Sequence, residues 1–180
     1  MILHCSKKLA AKLDPVSPVP LAETNRLGSW HGQVFTVDRR QCVMFCHDAT
    51  RFVLFMAGWR KAQFDVLGSK GFPQLFTAAL ATMGCPDGQI RKVELALWPV
   101  RYDTATDRSV QGSIRTVHQE LNALLYRVPD VMALDPLAVA RHLNDRPTTI
   151  HGKWLFPDRA MREAVERIAA QGNTVADLLI

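Results

Sequence analysis

The stretch from Leu27 to Ala57 constrains the fold more than any other, because it reads as three β-strands joined by two short polar turns. Phe35 and Val37 alternate with Val34, Thr36 and Asp38. The turn Asp38-Arg39-Arg40-Gln41 follows, and then a run from Cys42 to His47 that is apolar at nearly every position. After a second turn around His47-Asp48-Ala49-Thr50, Phe52 to Ala57 is apolar on both faces. Short runs rich in β-branched and aromatic residues are strands, and turns this tight make neighbouring strands antiparallel. A strand apolar on both sides must also be covered on both sides. The expectation is therefore a β-meander with its second strand interior and helices over each face.

The flanking segments supply the helices. Ser6 is placed to cap a helix over Lys7 to Leu13, preceded by a short strand at Ile2 to Cys5. Pro73 and Gly84 bracket a helix whose Leu75, Phe76, Ala79, Leu80 and Met83 form one stripe. From Ile90 to Trp98 the alternation fits a fourth strand, with a helix as the competing reading, and Val100 to Thr106 holds a further short strand. Val110, Ile114, Val117, Leu121, Leu124, Leu125 and Val128 repeat at helical spacing until Pro129. Asp135-Pro136 opens a shorter helix to about Asn144, Pro157 to Gln171 makes the last with Gly172 as its stop, and Thr174 to Ile180 adds a final turn. The fold class expected is a single α+β domain spanning 1–180, an antiparallel β-meander of about four strands covered by the helices at 73–83 and 110–128.

At 180 residues the chain is long enough to bury a core without staples. Its four cysteines lack CxxC spacing, and two of them sit inside an expected strand, which points to a reducing, cytoplasmic setting. The start of the chain lacks the apolar run of a secretory signal, and no stretch approaches the roughly 20 apolar residues of a membrane-spanning helix, so no membrane partner is expected. The net charge of +5 is concentrated in the first half, a balance that permits a phosphate-bearing partner.

Three basic stretches could hold such a partner. Lys7 and Lys8 sit in the first turn of a helix, where the macrodipole disfavours cations unless an anion is bound there; the plain alternative is a solvated helix end. Arg108 and Ser109 open the longest helix, Ser109 as its cap, with Gly112 leaving room for a close approach. Arg39 and Arg40 occupy the first turn, and arginine's planar fork suits phosphate, though a solvated turn also favours arginine. If the starts of the first and the longest helix face this turn, Lys7, Lys8, Arg39, Arg40, Arg108 and Ser109 make one pocket for nucleic acid or a nucleotide.

Catalysis has fewer footholds. His31, His47 and Asp48 could form an acid–base site where the turns meet. Cys42 and Cys46 share one strand face and His47 the other, so they do not converge on a metal, and no HExxH, GxSxG or paired CxxC is present. No metal or cofactor is expected.

The whole chain resembles a bacterial family known as domain of unknown function 6933. The resemblance is carried by Cys5-x-Lys7-Lys8-Leu9, Leu27-Gly28-x-Trp30-His31, Asp38-Arg39-Arg40-x-Cys42-Val43-x-Phe45 and Asp48-x-Thr50. It continues in Thr106-x-Arg108-Ser109-Val110-x-Gly112-Ser113 and Leu143-Asn144-x-Arg146-Pro147. It implies no substrate, cofactor or catalytic residue. The residues thus favour a phosphate-ligand binder, with a small hydrolase-like enzyme or an interaction module without chemistry as alternatives.

Overall fold

The structure, a computed structural model, describes residues 1–150 and 152–170. The chain opens with β1 (Ile2–Cys5) and a single helical turn, α1 (Lys7–Ala10), whose cap Ser6 accepts the Leu9 N–H. The expected meander follows as β2 (Trp30–Val37), β3 (Arg40–His47) and β4 (Val53–Met56), each antiparallel to the next. Next come α2 (Lys61–Asp65), a π-helical turn at Leu67–Gly71, α3 (Phe72–Thr82) and α4 (Asp87–Ala96). The rest of the chain forms β5 (Arg101–Asp103), α5 (Arg108–Leu125), α6 (Pro136–Asn144), the hairpin β6 (Thr148–Ile150) and β7 (Lys153–Leu155), and α7 (Pro157–Ala170). The stop at Gly172 and the turn over Thr174 to Ile180 lie outside the described residues.

The sheet corrects the expected architecture. It has five strands in the order β4-β3-β2-β1-β5, and it is mixed, because β1 runs parallel to both β2 and β5. Parallel neighbours need long crossover connections. These are the proline-bearing segment between α1 and β2 and the long helical passage from β4 to β5. Local alternation carries no signal for such pairings. The fourth strand expected at Ile90 to Trp98 is instead α4: Val93 and Leu97, four apart, are fully buried while Leu95 is 62% exposed, which is helical periodicity.

Two cores follow from the period of two. Leu3, Trp30, Val43, Phe45 and Leu54 face one side, where they pack with Leu9, Phe72, Phe76 and the α7 residues Met161 and Val165. Trp30 meets the rings of Phe72 and Phe76 edge-on at 5.0 and 5.1 Å. Gly32 lets α1 close on this face, since a Cβ there would stand 2.6 Å from Leu9 Cδ2. The other side carries Cys42, Met44, Cys46, Val53 and Phe55 under Val110, Ile114, Val117 and Leu121 of α5 and Val139 and Leu143 of α6. Each fully buried Leu or Phe contributes about 1.5–3 kcal/mol, and the double-sided apolar strands are explained by having a layer on each face.

Candidate functional site

The tip of the β2–β3 hairpin is a two-residue turn in which both Asp38 (φ 47°) and Arg39 (φ 60°) adopt left-handed backbone. Such turns usually take Asn-Gly, so an arginine there costs roughly 1 kcal/mol. Because β4 runs antiparallel to β3, the chain leaving β4 comes back beside this tip: the Trp59 N–H donates to the Gln41 carbonyl at 2.9 Å. Gly58 (φ 75°) makes that return possible, since a Cβ would meet Met132 at 2.6 Å. The result is a cleft of about 320 Å³ lined by Arg39, Arg40, Gln41, Gly58, Trp59, Arg60 and Lys61.

Four of these seven residues are cations and none is a carboxylate. All four side chains are exposed, and among the described residues none pairs with an acid. Asp38, the nearest acid in sequence, is not among the lining residues and accepts the Val131 N–H at 3.0 Å. Two lining residues also carry a buried polar atom without a hydrogen-bond partner among the described residues, the indole N–H of the buried Trp59 and Oε1 of Gln41. Each such orphan costs about 1–3 kcal/mol.

The six residues expected to share a pocket occupy three places. Arg39 and Arg40 line the cleft. Lys7 and Lys8 are exposed on α1, which packs on the Trp30 face and is joined to the middle of β2 by the Ser6 N–H to Gly32 carbonyl bond. Neither lysine lines the cleft, although Ala11 and Lys12 just past α1 line the cavity next to it. Arg108 and Ser109 open α5 on the opposite face. That helix is capped by Asp107, which accepts the Ser109 and Val110 N–H groups, while the Ser109 hydroxyl accepts from the buried guanidinium of Arg51 at 2.8 Å. Asp107 feels burial, which would raise its pKa, yet those two N–H groups and the charge of Arg51 hold it below the usual carboxylate value. The space left by Gly112 is open: among the described residues, the helix's own backbone aside, no atom would stand within 4 Å of a Cβ there, and nothing among them explains the glycine.

The acid–base candidates divide as well. His31 Nδ1 lies 2.7 Å from Asp48 Oδ1, and its Nε2 accepts the Asp107 N–H at 3.0 Å, which puts the ring proton on Nδ1. His47 points into the other core, against Trp30. There its Nε2–H donates to the Leu27 carbonyl at 2.7 Å and its Nδ1 accepts from Thr50, so it is a structural tie. Burial pushes the His47 pKa down to about 4. His31, His47 and Asp48 therefore do not form one site: His47 is registered with Trp30, the neighbour of His31, and adjacent positions on a strand face opposite ways.

In place of His47 the sheet brings up His4 and Asp103. The register aligns Asp103, His4 and His31 in one row across β5, β1 and β2. His4 Nδ1 stands 2.6 Å from Asp103 Oδ1, and the His4 and His31 rings lie 4.8 Å apart. Burial would raise the pKa of Asp103, but hydrogen bonds from the Leu21 N–H, His4 and the Ala105 N–H outweigh it and hold the carboxyl below its usual value. Asp103 is thus a carboxylate that fixes the proton of His4 on Nδ1. Among the described residues the His4 Nε2 has no hydrogen bond, and Asp48 Oδ2 lies 3.8 Å from it.

Among the described residues no group of three or more His, Cys, Asp or Glu side chains is arranged to hold a metal ion. All four cysteines are buried and unpaired, with burial raising each thiol pKa, for Cys5 and Cys46 to about 12, so none is an activated nucleophile. No helix among the described residues is long and apolar enough to cross a membrane.

Sequence reasoning missed Arg60, Lys61, Trp59 and Gln41 at the cleft and His4 and Asp103 in the row. The first group had a usable signal: in a meander, the residues after the third strand return beside the first turn. The second had none, since it depends on parallel pairing between strands about a hundred residues apart.

Fold and clefts together define a mixed α+β protein whose sheet lies between two helical layers, with a cationic cleft at one end. Its residues 2–160 match the profile of the Domain of unknown function (DUF6933), and the chain belongs to that family. No curated protein and no solved structure matches it at a significant level.

Proposed function

We propose that this protein binds a phosphate-bearing ligand in the cleft between the β2–β3 hairpin tip and the start of α2. The observation that carries the reading is the convergence of Arg39, Arg40, Arg60 and Lys61 on one 320 Å³ cavity, without a carboxylate among its lining residues. Four cations held together repel one another, and a polyanion relieves that repulsion while accepting paired guanidinium hydrogen bonds. Lys7, Lys8, Arg108 and Ser109 stand elsewhere in the fold and take no part. Titration with inorganic tripolyphosphate at low salt tests the reading: saturable binding, weakened roughly tenfold or more by Arg39→Ala with Arg40→Ala, supports it. A flat titration removes it.

A second reading, a hydrolase-like acid–base site, is favoured by His4, whose Nε2 faces only the distant Asp48 Oδ2 at 3.8 Å and whose protonated ring would lie between Asp103 and Asp48. In this reading His4 is the base, Asp103 orients it, and the His31–Asp48 pair stands alongside. Turnover of activated esters or phosphate esters that is lost in His4→Gln supports it. Turnover that is absent in the native protein, or unchanged in His4→Gln, disposes of it.

A further inference from the structure

We infer that the ligand of this cleft is a ribonucleoside polyphosphate and not a nucleic acid, an inference that rests on the phosphate-binding reading above. The cationic cleft does not end at Lys61. A second cavity of about 610 Å³ adjoins it, sharing Gln41 and Lys61 and adding Lys12, Asp14, Phe64 and Asp65 to the lining. The two compartments differ in charge: the first carries cations alone, the second two lysines and two carboxylates. In the second, Asp14 and Asp65 supply acceptors, and among the described residues neither is engaged in a hydrogen bond or ion pair despite having Lys12 and Lys61 in the same wall. At the junction sits Gln41, whose buried Oε1 is an acceptor with no donor.

A ligand that satisfies this arrangement has an anionic end and, a few ångströms away, an uncharged end rich in hydrogen-bond donors. A ribonucleotide has both. Its phosphates suit Arg39, Arg40 and Arg60, and its ribose diol offers the hydroxyl donors that carboxylates accept in other nucleotide sites. Both cavities fall in the size range of small-molecule pockets. A nucleic-acid strand fits worse, because beyond the first cavity the cations no longer stand alone: Asp14 and Asp65 offset Lys12 and Lys61, whereas a strand-binding groove keeps its cationic track going.

The test compares four probes on the full chain at low salt: tripolyphosphate, ribonucleoside triphosphates, their 2′-deoxy counterparts, and a single-stranded oligonucleotide. Ribonucleotides are expected to bind roughly tenfold tighter than tripolyphosphate and several-fold tighter than the deoxy forms. Asp14→Asn with Asp65→Asn, both at exposed positions and checked by circular dichroism, should cut ribonucleotide affinity about fivefold or more and leave tripolyphosphate unweakened. Tripolyphosphate binding as tightly as the ribonucleotides, or insensitivity of the ribonucleotides to the Asp variants, overturns the inference while the phosphate site stands. Tighter binding of the oligonucleotide also overturns it. Failure of all four probes removes both readings.

Discussion

The Trp59 N–H donates to the Gln41 carbonyl at 2.9 Å, and through that bond the chain leaving β4 is held against the start of β3. Two pairs of neighbouring cations, Arg39-Arg40 and Arg60-Lys61, are thereby brought to one cavity from positions some twenty residues apart in the chain.

The lysines of α1 and the arginines of the hairpin should separate cleanly in binding. Arg39→Ala with Arg40→Ala is expected to weaken polyphosphate binding roughly tenfold or more, and Lys7→Ala with Lys8→Ala less than about twofold. All four side chains are exposed, so folding should be unaffected. Isothermal titration on the two double variants decides between them, and equal losses would place the ligand elsewhere.

His47 makes stability depend on pH. Its folded pKa is about 4 against 6.5 for the free group, so between these values the unfolded chain holds a proton that the folded chain does not. Stability is then full above about pH 6.5 and falls as pH drops toward 4, by about 3 kcal/mol at most. Urea denaturation at about pH 7.5 and about pH 5 reads the effect, and His47→Gln should flatten it.

Asp103 acts at lower pH and with the usual carboxylate sign. Its folded pKa is depressed, so its contribution is present above the unfolded value of about 3.9 and is lost as pH falls through the folded value. Asp103→Asn keeps the shape but removes the charge that His4, Leu21 and Ala105 bond to. The expected loss at neutral pH is about 2–4 kcal/mol, with a shallower acid limb in the denaturation curve.

Gly112 is a glycine in the interior of α5 with open space where a side chain would go. Gly112→Ala should therefore raise stability by about 0.5–1 kcal/mol. A loss in thermal denaturation would show that something in the folded state needs the space.

Asn144 replaces a missing strand. β4 is an edge of the sheet, and the Asn144 side chain accepts the Val53 N–H and donates to the Val53 carbonyl, each at 2.7 Å. Asn144→Ala leaves both groups buried and unsatisfied, for an expected loss of about 2–4 kcal/mol by urea denaturation.

Much of this architecture was legible in the residues. The meander, the stripe of α5 from Val110 to Leu121 and the Asp135 cap of α6 all follow from spacing, because they depend on neighbours within a few residues. At Ile90 to Leu97 the same apolar residues satisfied both periods, and packing of Val93 and Leu97 under α3 and α7 settled it as helix. The candidate site was legible only in part. Arg39 and Arg40 are legible as a basic turn, and His31 and Asp48 as members of a trio with His47, which the structure turns to the other face; their companions are not.

Local chemistry in the chain was enough to set which segments become strands and helices, where they cap and turn, and that the central strands need cover on both faces. The assembly of the folded molecule chose the partners: β1 entering the sheet parallel between β2 and β5, α1 and α5 taking opposite faces, and Arg60-Lys61 returning to Arg39-Arg40. Side-chain period and capping act over a few residues, whereas strand order and the meeting of distant charges follow from burying the whole apolar surface at once. That collective requirement has no signature in any short stretch of sequence.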